Sequence, residues 1–318
     1  MMCWFYDGGK EVVLLILRKR TESGELRTYR SLNARMELAA ADEKLYNHLE
    51  IGFDGELIFD GWLKQAGEGL ILNDLLFVTS NSHYQMDSLY IAPQKIYLFE
   101  VKNLSGDHFI EKEEWISCTT KSEIKNPILQ LKRCESLLRR QLQVLKCSLP
   151  VEAYVVFVNP EFHLYHAPLH SPLIFPSQWN RFSQRLKNVR ISNGFHSKLA
   201  EKLLSLHVEK SPYERRPEFR YEDLLKGVVC GGCGRLGMEV FNKTKLVCRN
   251  CKRSERFKNG ILRSVEEFRL LFPDRRVTTS QMYEWCGRIK DKRAFQRVLS
   301  ENLDRIGYGP GSKFVEKG

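Results

Sequence analysis

QMDSLYIAPQKIYLFEVK, running from Gln85 to Lys102, reads as two strands joined by the turn Ala92-Pro93-Gln94. Side chains alternate along a strand, so Ile96, Leu98, Glu100 and Lys102 share one face and Tyr97, Phe99 and Val101 the other. Both faces are apolar through most of the run, as in an interior strand covered on both sides. A carboxylate and an ammonium at the end of such a strand are anomalous, because burying either unpaired is expensive. Asp87, on the preceding strand, can reach the same corner. Two carboxylates and a lysine converging there suit a divalent cation with a water-activating group. The alternative is an ion pair of Glu100 and Lys102 at a strand end, with Asp87 in a turn.

Upstream, Leu38, Leu45 and Leu49 give Ser31–Glu50 a helical spacing. Gly52 and Gly55 are expected to break it. A second helix then carries Glu56 in its first turn, where the helix dipole favours a carboxylate, with Ile58, Phe59, Trp62 and Leu63 as its apolar stripe. Leu70 to Val78 reads as the first strand. Downstream, Phe109 to Cys118 holds Glu111, Glu113 and Glu114 beside Trp115 and reads as a solvated edge strand or loop. Asn126-Pro127 opens a helix, Asn as N-cap and Pro at the first helical position. Ile128, Leu131, Leu138, Leu142 and Leu145 form its stripe, with Gln130 one turn in. Val151–Val158 is another buried strand, and Trp179–Leu206 reads as one or two covering helices. His163, His166 and His170 lie among prolines with no carboxylate or Cys close in sequence, which favours an irregular packed loop over a metal site.

Four pieces in this order, Gly52-x-x-Gly55-Glu56, Gln85-Met86-Asp87, Glu100-Val101-Lys102-Asn103 and Asn126-Pro127-x-x-Gln130, resemble the nuclease-related domain (NERD) family, a branch of the PD-(D/E)XK phosphodiesterases. The resemblance runs from about Asn33 to Phe182. Ser88 stands where the family usually has His. The resemblance implies a restriction-endonuclease-like α/β domain, a mixed sheet flanked by helices, that hydrolyses nucleic-acid phosphodiester bonds with Mg²⁺ or Mn²⁺. It implies Asp87 and Glu100 as metal ligands, Lys102 as the residue orienting water and stabilising charge, Glu56 as holder of a second-shell water or second metal, and Gln130 as a positioning group.

The charge of the chain is uneven. Of its 318 residues, 211–318 hold 24 Lys and Arg against 14 Asp and Glu, whereas 1–210 hold 26 against 25. A basic C-terminal third on a nearly neutral body suggests a polyanion-binding module. Nine cysteines, five of them scattered, are not a secreted disulfide framework and fit a reducing cytoplasm. No run approaches the roughly 18 apolar residues of a membrane span. Val12–Leu17 is followed by Arg18-Lys19-Arg20, the reverse of a signal-peptide order. Residues 1–32 read as an N-terminal extension, 33–210 as the nuclease-like domain, and 211–260 as linker and zinc ribbon. Residues 261–318 read as a helix-turn-helix-like module.

Cys230-x-x-Cys233 and Cys248-x-x-Cys251 offer four thiolates for one tetrahedral Zn²⁺ with no open position, a structural site. Ser264 to Glu267 reads as a capping box opening a short helix to Leu271, and Thr278 to Gln281 as a second. A third helix, from about Asp291 to Leu303, turns Ala294, Phe295, Val298 and Leu299 inward. Lys292, Arg293, Gln296 and Arg297 point outward as nucleic-acid contacts, with DNA the expected polymer. Gly309-Pro310-Gly311 and Ser312–Val315 suggest a wing. The alternative for the whole chain is a non-catalytic DNA-binding protein on a nuclease-like scaffold.

Overall fold

The computed structural model describes residues 3–7, 10–67, 69–79, 82–186, 194–209, 214–215, 217–309 and 312–317, with side chains from Ile16 onward except Thr79 and Ser82. The chain forms two compact units. The first comprises Met1–Glu22 with His48–Pro212, the second Ser23–Asn47 with Tyr213–Gly318. The segment Ser23–Asn47 therefore belongs with the C-terminal residues. The proposed linker Ser211–Pro217 lies mostly outside the described residues.

In chain order the elements begin with β1 (Cys3–Asp7), β2 (Lys10–Arg18), α1 (Gly24–Asn33) and α2 (Ala40–Leu63). Strands β3 (Leu70–Thr79), β4 (Ser82–Ile91) and β5 (Ile96–Lys102) follow, then the short β6 (Gly106–Glu111), β7 (Glu114–Ser117) and β8 (Glu123–Ile124). Next come α3 (Pro127–Val144), β9 (Val151–Phe157), β10 (Phe162–Tyr165), β11 (Leu173–Ile174), α4 (Trp179–Ser183) and α5 (Gly194–Ser205). The remainder is β12 (Met238–Val240), β13 (Lys245–Cys248), β14 (Ser254–Arg256), α6 (Phe257–Leu271), α7 (Thr279–Trp285), α8 (Lys292–Asn302), β15 (Asp304–Ile306) and β16 (Lys313–Val315).

The first unit is a mixed α/β domain. Its seven-stranded sheet has the order β1-β2-β3-β4-β5-β9-β11. Strands β3, β4 and β5 are antiparallel, and β9 runs parallel to β5. Both faces of β5 are covered, as its composition requires. Ile96 and Leu98 pack with Leu131, Leu138 and Leu142 of α3 and Leu199 and Leu203 of α5. Tyr97, Phe99 and Val101 pack with Phe59 and Leu63 of α2 and Trp179 and Phe182 of α4.

Strands β3 and β4 break strict alternation at the same level. Leu70, Leu72, Leu75 and Phe77 share one core layer, as do Ile91, Leu89, Met86 and Tyr84. An unbroken period of two would put 74 and 87 there instead. The phase slips by one residue at Asp74 and at Asp87, between the pairs Asn73↔Ser88 and Leu75↔Met86. Asp74 has φ 55°, the left-handed region that Asp and Asn tolerate better than other side chains. The slip frees two aspartates from core positions on neighbouring strands.

Three expectations are corrected here. Helix α2 runs unbroken through Gly52 and Gly55, so Glu56 lies mid-helix and not in a first turn. Two glycines cost such a helix about 1 kcal/mol each relative to Ala, which packing of Phe59 and Leu63 outweighs. Gly55 is required by space, because a Cβ there would lie 2.4 Å from the Cβ of Asn103. Ile58 is exposed and does not join the stripe. Trp115 is fully buried, stacked on Phe157, so β6–β7 is a hairpin packed on the core.

In the second unit, β12, β13 and β14 form a small antiparallel sheet, and α6, α7 and α8 are followed by the antiparallel pair β15–β16. Thr278 caps α7 as expected, accepting from the Gln281 amide, and Asp291 caps α8, accepting from the Ala294 amide. Ser264 is not a cap. Helix α6 starts at Phe257, and Ser264 is buried mid-helix, its hydroxyl donating to the Gly260 carbonyl. The turn expected at Pro310-Gly311 lies outside the described residues.

Glu267 is held by Arg35, a fully buried residue just beyond α1. The guanidinium donates to both Glu267 oxygens at 2.8 and 2.6 Å, and to the Leu225 and Gly227 carbonyls. It also stacks 3.8 Å from the Trp285 ring centroid. Removing one partner of a buried pair strands the other, at a cost of about 3–5 kcal/mol. Arg35→Ala should therefore destabilise the second unit by that amount. Arg35→Lys should recover little, since an ammonium cannot reproduce the planar fork. Denaturant unfolding followed by Trp285 fluorescence is the check, and wild-type stability in either variant would contradict it.

Candidate active site

Near the end of β5, β4 parts from β5 while staying paired with β3. The β4–β5 ladder pairs Ile91↔Ile96 through Ser88↔Phe99 and stops. Beyond it, the Val101 amide donates 2.7 Å to Oδ2 of Asp87, so a side chain closes the ladder where a carbonyl otherwise would. A strand residue's N–H and C=O point to the same side, so the Val101 carbonyl faces this corner too.

Glu100 is almost fully buried. Burial, with Asp87 adding repulsion, pushes its carboxyl up to about 7. The Lys102 ammonium donates to Glu100 Oε1 at 2.8 Å and to Gln130 Oε1 at 3.2 Å. Burial alone would lower the Lys102 pKa, but Glu100 and then Asp87 outweigh it and leave it raised. Lys102 is thus a fixed cation at neutral pH. Gln130 reaches it because Asn126 caps α3, its side chain accepting from the Ile128 amide at 2.9 Å. Asp87, Glu100, Lys102 and Gln130 are brought together.

Glu56 lies beside them but in other company. Burial, then Asp87, pushes its carboxyl up to about 8, against the pull of Arg20. Arg20 donates to Glu56 Oε2 at 2.7 Å and clamps both oxygens of Asp60 at 3.2 and 3.0 Å. It also donates to the Asp87 carbonyl at 2.8 Å and to Ser88 Oγ at 3.0 Å. Ser88, fully buried, donates its hydroxyl to Asn73 Oδ1 at 3.0 Å. Nearby, Asp74 accepts from Gln85 at 2.7 Å. Sequence reading missed Arg20, Asp60, Asn73 and Asp74. The visible signal was the polar pair Asn73-Asp74 inside an apolar strand; nothing local marks Arg20, whose partners are 36 to 68 residues away.

In the second unit, the four cysteine sulfurs lie within 4.8 Å of one another. Cys230–Cys251 and Cys233–Cys248 are each 3.6 Å apart, close to the roughly 3.8 Å edge of a tetrahedron with Zn–S bonds of about 2.3 Å. The two knuckles repeat one local geometry. Gly232 and Asn250 amides donate to the sulfurs of Cys230 and Cys248. Gly234 and Lys252, each following a second cysteine, have φ 68° and 61°. The donor set is compatible with a structural Zn²⁺ in a zinc ribbon. On α8, Lys292, Arg293, Gln296 and Arg297 are exposed and Ala294, Phe295, Val298 and Leu299 buried, the division its sequence implies. Among the described residues, no helix is long and apolar enough to cross a membrane.

The crystal structure of protein VC1899 from Vibrio cholerae is similar over 48% of this chain and 40% of its own, at 14% identity and a TM-score of 0.24. The match thus spans less than half of that protein. No curated protein matches the chain. Residues 51–158 match the profile of the NERD family, and this span includes Glu56, Asp87, Glu100, Lys102 and Gln130. Over residues 51–158 the chain thus carries a nuclease-related domain of the NERD family.

Proposed function

We propose that the first unit is a metal-dependent nuclease hydrolysing phosphodiester bonds of nucleic acid, DNA in particular. The observation that carries this is the convergence of Asp87, Glu100, Lys102 and Gln130 where β4 leaves β5. The donor set is hard oxygen, the kind Mg²⁺ and Mn²⁺ prefer. Asp87 and Glu100 would hold the ion, with the Val101 carbonyl a third ligand. A bound Mg²⁺ or Mn²⁺ supplies an acidified water and offsets charge at phosphorus. Lys102, kept charged by Glu100 and Asp87, orients the attacking water and stabilises charge developing on the phosphate. Gln130 fixes the ammonium in place. The test is Mg²⁺- or Mn²⁺-dependent cleavage of plasmid and single-stranded DNA by the purified protein. Binding without cleavage by wild type would favour the non-catalytic DNA-binding scaffold.

Metal affinity should depend on pH with a definite sign. The Glu100 carboxyl sits near 7 in the folded chain, above its unfolded value. Its ionisation therefore costs the metal-free fold stability as pH rises from the ordinary carboxylate range through about 7. Proton and metal compete for it, so Mg²⁺ should bind about tenfold more tightly at pH 8 than at pH 6. Calorimetric titration at the two pH values reads this directly, and equal affinities would exclude Glu100 as ligand.

The second unit would bind the nucleic acid and present it. Its surplus of 24 basic over 14 acidic residues in 211–318 supports this, as do the exposed Lys292, Arg293, Gln296 and Arg297 on α8. Each phosphate contact releases counterions, so duplex binding by the full chain should weaken steeply with salt. Arg293→Ala with Arg297→Ala should lower the slope of log affinity against log salt by about 2. An unchanged slope would remove α8 from the interface.

A further inference from the structure

The nuclease-like corner contains more acid than one divalent cation and Lys102 can balance. Glu56 and Asp60 through Arg20, Asp74 on β3, and Asp87 and Glu100 all lie around it. On the α2 side the counter-charge is supplied by the protein itself. The Arg20 side chain is 1% exposed and donates to Glu56, Asp60, the Asp87 carbonyl and Ser88. It clamps Asp60 with two donors, holds Glu56 at 2.7 Å and reaches the backbone of Asp87 at 2.8 Å.

Glu56 is accordingly committed to a guanidinium and stands apart from the pair it was expected to join. Among the described residues the four cysteines form a group able to hold a metal ion, and Glu56, Asp87 and Glu100 are not brought together as such a group. Arginine suits the place of a second metal: it is always charged, its planar fork fits a carboxylate, and it needs no loading from solution.

Resting on the nuclease reading, we propose that the centre takes a single divalent metal, on Asp87 and Glu100, and that Arg20 is the built-in second cation that holds Glu56 and Asp60 and positions Asp87 through its backbone. Arg20 is a positioning residue in this scheme. It holds the Asp87 main-chain carbonyl while the Val101 amide holds Oδ2, so the metal-ligand residue is fixed once at its backbone and once at its carboxylate.

The test counts Mn²⁺ bound by the zinc-loaded full chain at pH 8, by equilibrium dialysis with electron paramagnetic resonance of free Mn²⁺. Wild type should bind one Mn²⁺, and Glu56→Gln should still bind one with affinity changed less than about threefold, since Glu56 is not a ligand. Arg20→Met frees Glu56 and Asp60 and should add a second, weaker Mn²⁺ equivalent, which Arg20→Lys should abolish. Two Mn²⁺ in wild type with one lost in Glu56→Gln would overturn the proposal and leave the nuclease reading standing. No Mn²⁺ in wild type would overturn both. A single equivalent in folded Arg20→Met would refute Arg20 as the substitute cation. Should that variant fail to fold, the comparison of wild type with Glu56→Gln decides alone.

Discussion

Lys102→Ala should lower Mg²⁺-dependent cleavage about 10³-fold or more while leaving Mg²⁺ affinity nearly unchanged. The ammonium is positioned by Glu100 and Gln130 and is charged at working pH. A preorganised donor aimed at developing charge is worth about 10²–10³ in rate, and Lys102 also orients the water. It does not ligate a cation, and its removal relieves repulsion, so metal binding survives. Asp87→Asn should behave differently, losing both cleavage and metal affinity while retaining the fold. The Asn side-chain oxygen still accepts the Val101 amide. Asp87→Ala is the poorer probe, because it strands that buried amide at about 1–3 kcal/mol and mixes instability with chemistry. Cleavage gels read beside calorimetric Mg²⁺ titration separate the patterns. Equal cleavage and equal metal binding in wild type and Asp87→Asn would end the nuclease assignment.

Removing zinc should have the largest effect on stability. The ribbon has a thin core: β12, β13 and β14 are three or four residues long, and Leu246, Cys230 and Cys248 are among its few buried groups. Four thiolates held within 4.8 Å repel one another once ionised, and only a cation resolves that. Structural zinc sites of this kind contribute about 10–16 kcal/mol of apparent binding energy to folding. A chelator, or Cys248→Ser, should unfold the region around residues 228–258 and leave the first unit folded. Hydrogen exchange with and without chelator maps this by segment. Zinc content below about 0.2 per chain in protein purified without chelator would argue against the site.

How much of this was legible depended on whether the cause was local. Alternation in Ile96–Lys102, the C-x-x-C spacing and the caps Asn126 and Thr278 are local and came through intact. The inward and outward residues of α8 followed from period 3.6 alone. Gly52 and Gly55 misled, because Gly55 answers to the proximity of Asn103, which no propensity encodes. Ser264 to Glu267 fits a capping box in spelling, yet Glu267 belongs to Arg35, 232 residues away. Arg20 was hidden for the same reason. Trp115 lies among glutamates in sequence and in the core in space. The candidate corner could be read from β5 outward, but its charge balance is set by residues far from it in sequence, Arg20 above all.

The phase slip at Asp74 and Asp87 makes one backbone amide a native sensor. In an ordinary sheet the Val101 proton would face a carbonyl, whose electron density is fixed. Here it faces a carboxylate, whose field at the amide would change with an ion bound at the proposed centre. Its resonance frequency and its shielding from solvent are thus tied to the state of the centre. Site occupancy becomes readable from the main chain, by spectroscopy, with no substrate present and no label attached.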